Sequence, residues 1–321
     1  MAEIGQNIQK AKEILESGQL VAIPTETVYG LGGNALNPLA VASIFETKNR
    51  PSFDPLIIHT SSFDRVKDFA REIPEPLEKL AKKFWPGPLT LLLPRKEIIP
   101  DLVTSGLDRV AVRVPSHPLT QELLESLYFP LAAPSANPFG YISPTAPAHV
   151  DAQLGTKIPY ILDGGACKVG LESTIVGIEE GQVVIYRLGG LEISMIENVV
   201  GKVVVKDHSS SNPQAPGLLE SHYAPRKPFI LGDLDQLISK YTAENVDFGI
   251  LSFSKTFPEI QKDHQVVLSP SGDLKEAAQH LFAGMRLLDQ QAVSVILAER
   301  MPAEGLGNAI NDRLKRAAAQ A

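Results

Sequence analysis

Lys48 and Arg50 stand either side of Asn49, with Asp54 and His59 a short way on. A cation pair of this kind suits phosphate, with lysine as a point charge and arginine as a planar fork. The same two cations would also suit the negative end of a helix dipole, so a helix cap is the competing role. His59 lies on an apolar stretch, where a structural histidine and a contact to a small polar ligand both remain open. Upstream, Pro24-Thr25-Glu26-Thr27-Val28-Tyr29-Gly30-Leu31-Gly32-Gly33 packs hydroxyls, a carboxylate and a phenol ahead of three glycines. That composition fits backbone brought close to a ligand, or a turn with polar decoration. Arg113 falls on the polar side of an alternating apolar stretch, where a charge is costly unless paired or aimed into a cleft. Ser135 and Asn137 lie between Pro134 and Pro138, Ser143 and Thr145 follow in a Pro-rich loop, Ser173 follows Glu172, and Arg187 precedes Gly189-Gly190. No Gly-x-Ser-x-Gly, Walker A, His-Glu-x-x-His or strand-following Gly-x-Gly-x-x-Gly pattern occurs. These residue types point to holding and positioning a phosphorylated ligand rather than to a protein nucleophile.

The elements that must position these side chains can be read from apolar periodicity. A helix is expected over 4–17, ended by Gly18, then a buried strand over 20–23 that stops at Pro24. Asn37-Pro38 opens a helix through 39–48 and Pro51 closes it off. Strands are expected over 56–59, 89–93, 109–114, 131–133 and 160–162, with a hairpin over 173–188, a helix over 191–200 and a strand over 203–205. The polar clusters therefore fall at strand ends. The three glycines of the 24–33 stretch are expected to turn the chain, and Glu26 and Tyr29 to brace it.

The pattern changes at 206–228, which carries Ser209-Ser210-Ser211-Asn212-Pro213, Pro216-Gly217 and then His222-Tyr223-Ala224-Pro225. This reads as a connector longer than the loops usual inside a domain. Beyond it, strands over 229–231, 249–253, 266–268 and 293–297 alternate with helices over 234–241, 274–290 and 309–319, the signature of a small parallel α/β sheet. The division expected is 1–205, a connector or lid over 206–228, and 229–321.

The whole chain has 321 residues, 44% of them hydrophobic and 21% charged, enough for a sizeable core. Its formal net charge of -7 argues against bulk electrostatic grip on nucleic acid, though not against a local basic groove. Its single cysteine, Cys167, excludes an internal disulfide and a cysteine-built metal cluster. No apolar run is long enough to span a bilayer and the first residues lack a signal-peptide core, so a cytoplasmic protein with no membrane partner is expected.

Taken in order, Pro24-Thr25-Glu26-Thr27-Val28-Tyr29-Gly30-Leu31, Lys48-x-Arg50-Pro51, Pro55-Leu56-x-x-His59 and Ser135-x-Asn137 resemble the YrdC family. The connector motif His222-Tyr223-Ala224-Pro225 and the tail Gly305-Leu306-Gly307-x-Ala309-Ile310-Asn311-Asp312-Arg313 resemble its long, two-domain branch, the threonylcarbamoyl-AMP synthases. The resemblance implies a twisted open mixed sheet with helices around a cleft, plus a smaller Rossmann-like parallel α/β domain. It implies conversion of L-threonine, bicarbonate and ATP to threonylcarbamoyl-adenylate and pyrophosphate, with Mg2+ as counter-charge, at most weak tRNA binding, and delivery to a tRNA threonylcarbamoyl transferase complex. It places Thr27, His59, Arg113 and Ser173 with threonine. It places Lys48, Arg50, Asp54, Ala133, Ser135, Asn137, Ser143, Arg187, His222 and Tyr223 with ATP, Lys48 and Arg50 stabilising the phosphates. Asp54 departs from the Asn of the family pattern and brings a negative charge near phosphate. Two other readings are weighed: a carbamoyl-adenylate former of the hydrogenase-maturation type, whose zinc modules one cysteine cannot build, and an RNA-binding module with a basic cleft.

Overall fold

The computed structural model describes residues 1–206, 215, 219 and 221–319. Ser209, Ser210, Ser211, Asn212, Pro213, Pro216 and Gly217 of the expected connector lie outside the described residues.

Short, almost wholly apolar strands build a large mixed sheet. They are β1 (Glu3–Gly5), β2 (Val21–Ile23), β3 (Gly30–Asn34), β4 (Ile57–His59), β5 (Leu89–Pro94), β6 (Arg109–Arg113), β7 (Leu131–Ala132), β8 (Tyr160–Leu162), β9 (Thr174–Glu179), β10 (Gln182–Arg187) and β11 (Val204–Val205). Their spatial order is β1-β8-β2-β3-β7-β4-β6-β5-β9-β10-β11. Register decides which polar residues meet. β4 runs parallel to β6 with His59 opposite Arg113. β5 runs parallel to β9 with Leu89 opposite Thr174, which brings Thr90 to Ser173. An antiparallel bridge joins Gly30 to Ser135.

Two expectations change. The first helix covers only Ile8–Glu16, capped by the Asn7 side chain, because Glu3–Gly5 instead pairs with Tyr160–Leu162. A strand partner far along the chain overrides a local helical pattern there. The glycines Gly30, Gly32 and Gly33 do not turn the chain; they form β3, antiparallel to β2. A Cβ on Gly33 would stand 2.8 Å from Leu20 Cδ2 and 3.2 Å from Ile44 Cδ1, so glycine here permits close packing rather than a bend.

The second sheet comprises β12 (Phe229–Leu231), β13 (Phe248–Ser252), β14 (Gln265–Val267) and β15 (Val295–Ala298), all parallel, in the order β12-β15-β13-β14. Helices Leu234–Ala243, Leu274–Gln290 and Gly307–Ala318 cover it. The Leu274–Gln290 helix starts where the Asp273 carboxylate accepts from Lys275 N and Glu276 N, at 2.6 and 3.1 Å. Its buried Ala277, Leu281, Phe282, Met285 and Leu288 recur at helical spacing, and they join Val28, Ile142, Leu171 and Tyr223 in one apolar cluster. The smaller sheet thus packs, through this helix, directly onto the loops of the larger one. No described helix is long and apolar enough to cross a membrane.

Candidate active site

The polar strand ends converge on a cavity of about 50 Å³, lined by Arg50, His59, Arg113, Ala133, Ser135, Glu172, Ser173, Arg187, His222 and Tyr223 among others. Of the residues expected at a site, these nine face one space: Arg50, His59, Arg113, Ala133, Ser135, Ser173, Arg187, His222 and Tyr223. Thr27, Lys48, Asp54, Asn137 and Ser143 are buried just behind its walls and do not line it. Thr27 Oγ1 stands 2.7 Å from Thr25 Oγ1, which also donates to the Val28 carbonyl at 2.6 Å. This local hydroxyl network holds the 25–28 turn, and Val28 is the turn residue that reaches the cavity.

Lys48 ends the Pro38–Lys48 helix and is fully buried. Its ammonium donates to the carbonyls of Ser135 and Asn137, each at 2.5 Å, so it ties the helix to the Ser135–Asn137 turn. Burial, then the neighbouring Arg50, pushes its pKa well below the ordinary lysine value. Asn49 adopts left-handed φ of 53° and swings Arg50 off the helix axis. Arg50 then donates to Asp54 O at 3.0 Å and Pro55 O at 2.8 Å, and pairs with Asp54 Oδ2 at 2.9 Å. The Asp54 carboxylate lies off the direction of the guanidinium N–H bonds and neither oxygen accepts an aligned hydrogen bond. Burial raises its pKa, while Arg50 and Lys48 oppose that. Asp54 is therefore the counter-charge that sets the Arg50 fork.

On the next strands, Arg113 Nη2 donates to Glu26 Oε1 at 2.6 Å, and Glu26 Oε2 accepts from Ser116 N at 3.0 Å. Glu26 thus braces Arg113, and Arg113 Nε has no hydrogen-bond partner. Burial, then Arg113, pushes the His59 pKa down to about 3, so the imidazole is neutral, and its Nδ1 is unpartnered. Ser173 Oγ meets Thr90 Oγ1 at 2.7 Å and accepts from Arg187 Nη2 at 3.1 Å. Thr90 carried no sequence signal: a lone threonine in an apolar strand reads as core.

The fourth wall comes from the end of the connector. His222 and Tyr223 meet edge to face at 4.1 Å, His222 also meets Phe139 at 5.8 Å, and Tyr223 stacks on Phe282 at 5.6 Å. Ala224 N donates to Gly140 O at 2.8 Å. Tyr223 has φ of 63°, a left-handed conformation that costs a non-glycine residue about 1–3 kcal/mol and marks functional segments. Burial, then Arg50 and Lys48, lowers the His222 pKa well below the ordinary histidine value.

Among the described residues, the charged groups facing this cavity apart from Glu172 are guanidinium groups. Among the described residues no three His, Cys, Asp or Glu side chains are grouped to hold a metal ion. Fold and cavity together define a two-sheet α/β protein that gathers cationic and hydroxyl strand ends under a cap from the connector.

Comparison with known proteins gives this class a family. The Sua5/YciO/YrdC family model, described as telomere recombination, matches residues 13–189, and one described as threonylcarbamoyl-AMP synthase, C-terminal domain, matches 191–319. The chain belongs to the Sua5/YciO/YrdC family, in its two-module threonylcarbamoyl-AMP synthase form. It is 42% identical over 323 residues to the threonylcarbamoyl-AMP synthase of Pyrococcus abyssi (strain GE5 / Orsay), spanning 97% of this chain and 93% of that protein. The Bacillus subtilis (strain 168) threonylcarbamoyl-AMP synthase is 38% identical over 320 residues, spanning 97% and 92%. The crystal structure of P. abyssi Sua5 complexed with L-threonine superposes with a TM-score of 0.93 at 40% identity, covering 99% of this chain and 97% of that one.

Proposed function

We propose that this chain condenses L-threonine, bicarbonate and ATP into L-threonylcarbamoyladenylate, releasing pyrophosphate and water. The observation that carries this reading is the full-length likeness to a Sua5 structure holding L-threonine, at a TM-score of 0.93.

Threonine's amine and bicarbonate give a carbamate with loss of water. A carbamate oxygen then attacks the α-phosphorus of ATP, and the bond to the pyrophosphate oxygen breaks. No protein nucleophile is required, so catalysis rests on positioning and charge neutralisation. In this reading Arg113, braced by Glu26, takes the threonine carboxylate, and neutral His59 and Ser173 take its remaining polar groups. Thr27 holds the turn that shapes the threonine side. Arg50, set by Asp54, and Arg187 face the phosphates. Lys48 acts through the Ser135 and Asn137 carbonyls, with Ala133, Ser135, Asn137 and Ser143 forming the nucleotide wall. Magnesium travels with the triphosphate and neutralises it.

A cavity of about 50 Å³ holds a few water molecules, whereas ligand sites usually span about 300–1,000 Å³. His222 and Tyr223 therefore act as a lid that must swing out for ATP and back to shield the hydrolysable adenylate from water. The product would pass to a tRNA threonylcarbamoyl transferase complex in the cytoplasm, and a chain of net charge -7 need hold tRNA at most weakly. The test is pyrophosphate release from ATP, Mg2+ and bicarbonate with and without L-threonine. Threonine-dependent release is expected. Release that ignores threonine would overturn the assignment, and tight, salt-sensitive RNA binding in its place would favour an RNA-binding module.

A further inference from the structure

The Gly307–Ala318 helix packs on the smaller sheet, yet its Arg313 is fully buried beside the cavity of the larger one. Arg313 Nε donates to Glu172 Oε2 at 2.9 Å, Nη2 to the Leu188 carbonyl at 2.8 Å and Nη1 to Asp312 Oδ2 at 2.7 Å. Its guanidinium carbon stands 5.0 Å from the centre of the Tyr223 ring. The second Glu172 oxygen, Oε1, accepts from Ser143 Oγ at 2.5 Å. Among the described residues Glu172 is the one carboxylate facing the cavity, alongside Arg50, Arg113 and Arg187.

A carboxylate on that wall opposes an anionic ligand. Left without a counter-charge, it would repel the phosphates and compete with them for the neighbouring guanidinium groups, with little water to screen either effect. Both Glu172 oxygens are instead engaged, one by Ser143 and one by Arg313. The same guanidinium lies against the face of Tyr223, an attraction between cation and ring that fixes where the tyrosine sits. A planar fork can meet a carboxylate, a carbonyl and a ring face from one position; a lysine ammonium could share its donors between acceptors but has no planar face to lay against the ring.

We propose that Arg313 is a positioning residue for the nucleotide side of the site, supplied by the C-terminal sheet: it neutralises and fixes Glu172 and seats the Tyr223 ring. This rests on the nucleotide role proposed above for the cavity. It gives the smaller sheet a definite part in the reaction, to deliver one guanidinium under a site built by the larger one.

The experiment compares the full chain with Arg313→Lys, Arg313→Met and the double variant Arg313→Met with Glu172→Gln. ATP binding is measured by calorimetry, KM and kcat by threonine-dependent pyrophosphate release, and folding by thermal unfolding. Arg313→Met is expected to weaken ATP binding and raise KM for ATP by about tenfold or more, with a smaller effect on kcat. Arg313→Lys should fall between it and the parent. Removing the carboxylate charge in the double variant should recover most of the ATP affinity while the unfolding temperature stays lowered. ATP affinity within about twofold of the parent in Arg313→Met, or a double variant no tighter than the single one, would make Arg313 a structural bridge only. Should Arg313→Met fail to fold, parental ATP affinity in Arg313→Lys overturns the proposal by itself. A parent chain that binds ATP yet shows no threonine dependence would remove the assigned reaction and leave Arg313 to be judged on binding.

Discussion

The two sheets treat buried polar groups in opposite ways. Around the larger one, both Asp54 carboxylate oxygens, His59 Nδ1, Arg113 Nε and Asn137 Oδ1 are buried with no hydrogen-bond partner at or near the cavity, His117 Nδ1 and Asp151 Oδ1 are so in residues that do not line it, and the 222–225 segment adds His222 Nδ1. Among the described residues from 229 to 319 no buried side-chain polar atom is left so. There Ser252 donates to Lys255 O at 2.7 Å, and Asp289 accepts from Tyr141, Arg226 N and Lys227 N at 2.5, 2.9 and 3.1 Å. Each unpartnered buried group costs about 1–3 kcal/mol, and a native protein retains a cluster of them where function requires it. In the proposed reading the larger sheet gives up stability for chemistry. The smaller one is a satisfied scaffold that lends its polar side chains, Arg286, Asp289 and Arg313, to hold the site's loops and lid.

The largest expected effect strikes the first region. Arg50→Ala should lower kcat/KM for ATP by about 10³, the scale of losing a preorganised charge at a transition state. It should also destabilise by about 3–5 kcal/mol, because Asp54 is left as an uncompensated buried charge. Asp54→Asn added to Arg50→Ala separates the two: thermal stability should return and activity should not. Activity that returned together with stability would reduce Arg50 to a helix-end brace.

Some of this was legible in the sequence, for physical reasons that differ by element. The Leu274–Gln290 helix has the bounds expected from the sequence, because local signals, the Asp273 cap now among them, and tertiary packing agree there. The Pro38–Lys48 helix is announced by Asn37 and Pro38 in the same way. β1 was illegible because it depends on a distant partner, Tyr160–Leu162, and β3 because its glycines read as a turn, while its place is set by close packing on neighbouring β2 and on distant β7. The cavity's arginines and hydroxyls stood out as polar residues at strand ends. That Lys48 and Thr27 sit behind the wall did not, since residue type says nothing about which side of a turn a side chain takes. Arg313 stood out only as the last residue of the tail motif; its partner Glu172 is 141 residues away.

A smaller effect is expected at the lid. Tyr223→Ala removes a ring seated by Phe282 and Arg313, and should lower the yield of threonylcarbamoyl-adenylate per ATP consumed by about tenfold through hydrolysis. Measuring AMP against adenylate product checks it, and an unchanged ratio would make the 222–225 segment a tether.

Below that comes a dependence on pH that belongs to the larger sheet. The folded-state pKa of His59 is pushed down to about 3, mainly by burial, against an ordinary value of 6.5. Between those values the unfolded chain takes up a proton that the native chain refuses. Stability contributed by neutral His59 is therefore complete above about pH 6.5 and is lost as pH falls towards 3, by about 1 kcal/mol per pH unit. His222 acts in the same direction, and Asp54, whose pKa burial raises, in the opposite one. The measurement is therefore the difference between the parent and His59→Gln in unfolding free energy from pH 7 to 5. A flatter profile in the variant is expected; parallel profiles would show that His59 is not the group responsible.

The smallest effect on activity is expected where the contrast is sharpest. Along β15, alternate side chains go to opposite faces: Ile296 and Ala298 join the apolar cluster that includes Tyr223, while Val295 and Leu297 join Leu234, Ile238, Phe248 and Ile250 on the far side. Leu297 is fully buried, so Leu297→Ala should cost about 2–5 kcal/mol. Among the described residues no cavity-lining residue belongs to that far cluster. At a temperature where the variant remains folded, KM for ATP and threonine should stay within about twofold of the parent, because the lost methyl groups reach neither Arg313 nor Tyr223. A raised KM for ATP at unchanged fold content would mean that packing on the far face sets the position of the Gly307–Ala318 helix. The far face of the smaller sheet would then act on the site too, and the division between that face and the one carrying Arg313 would fail.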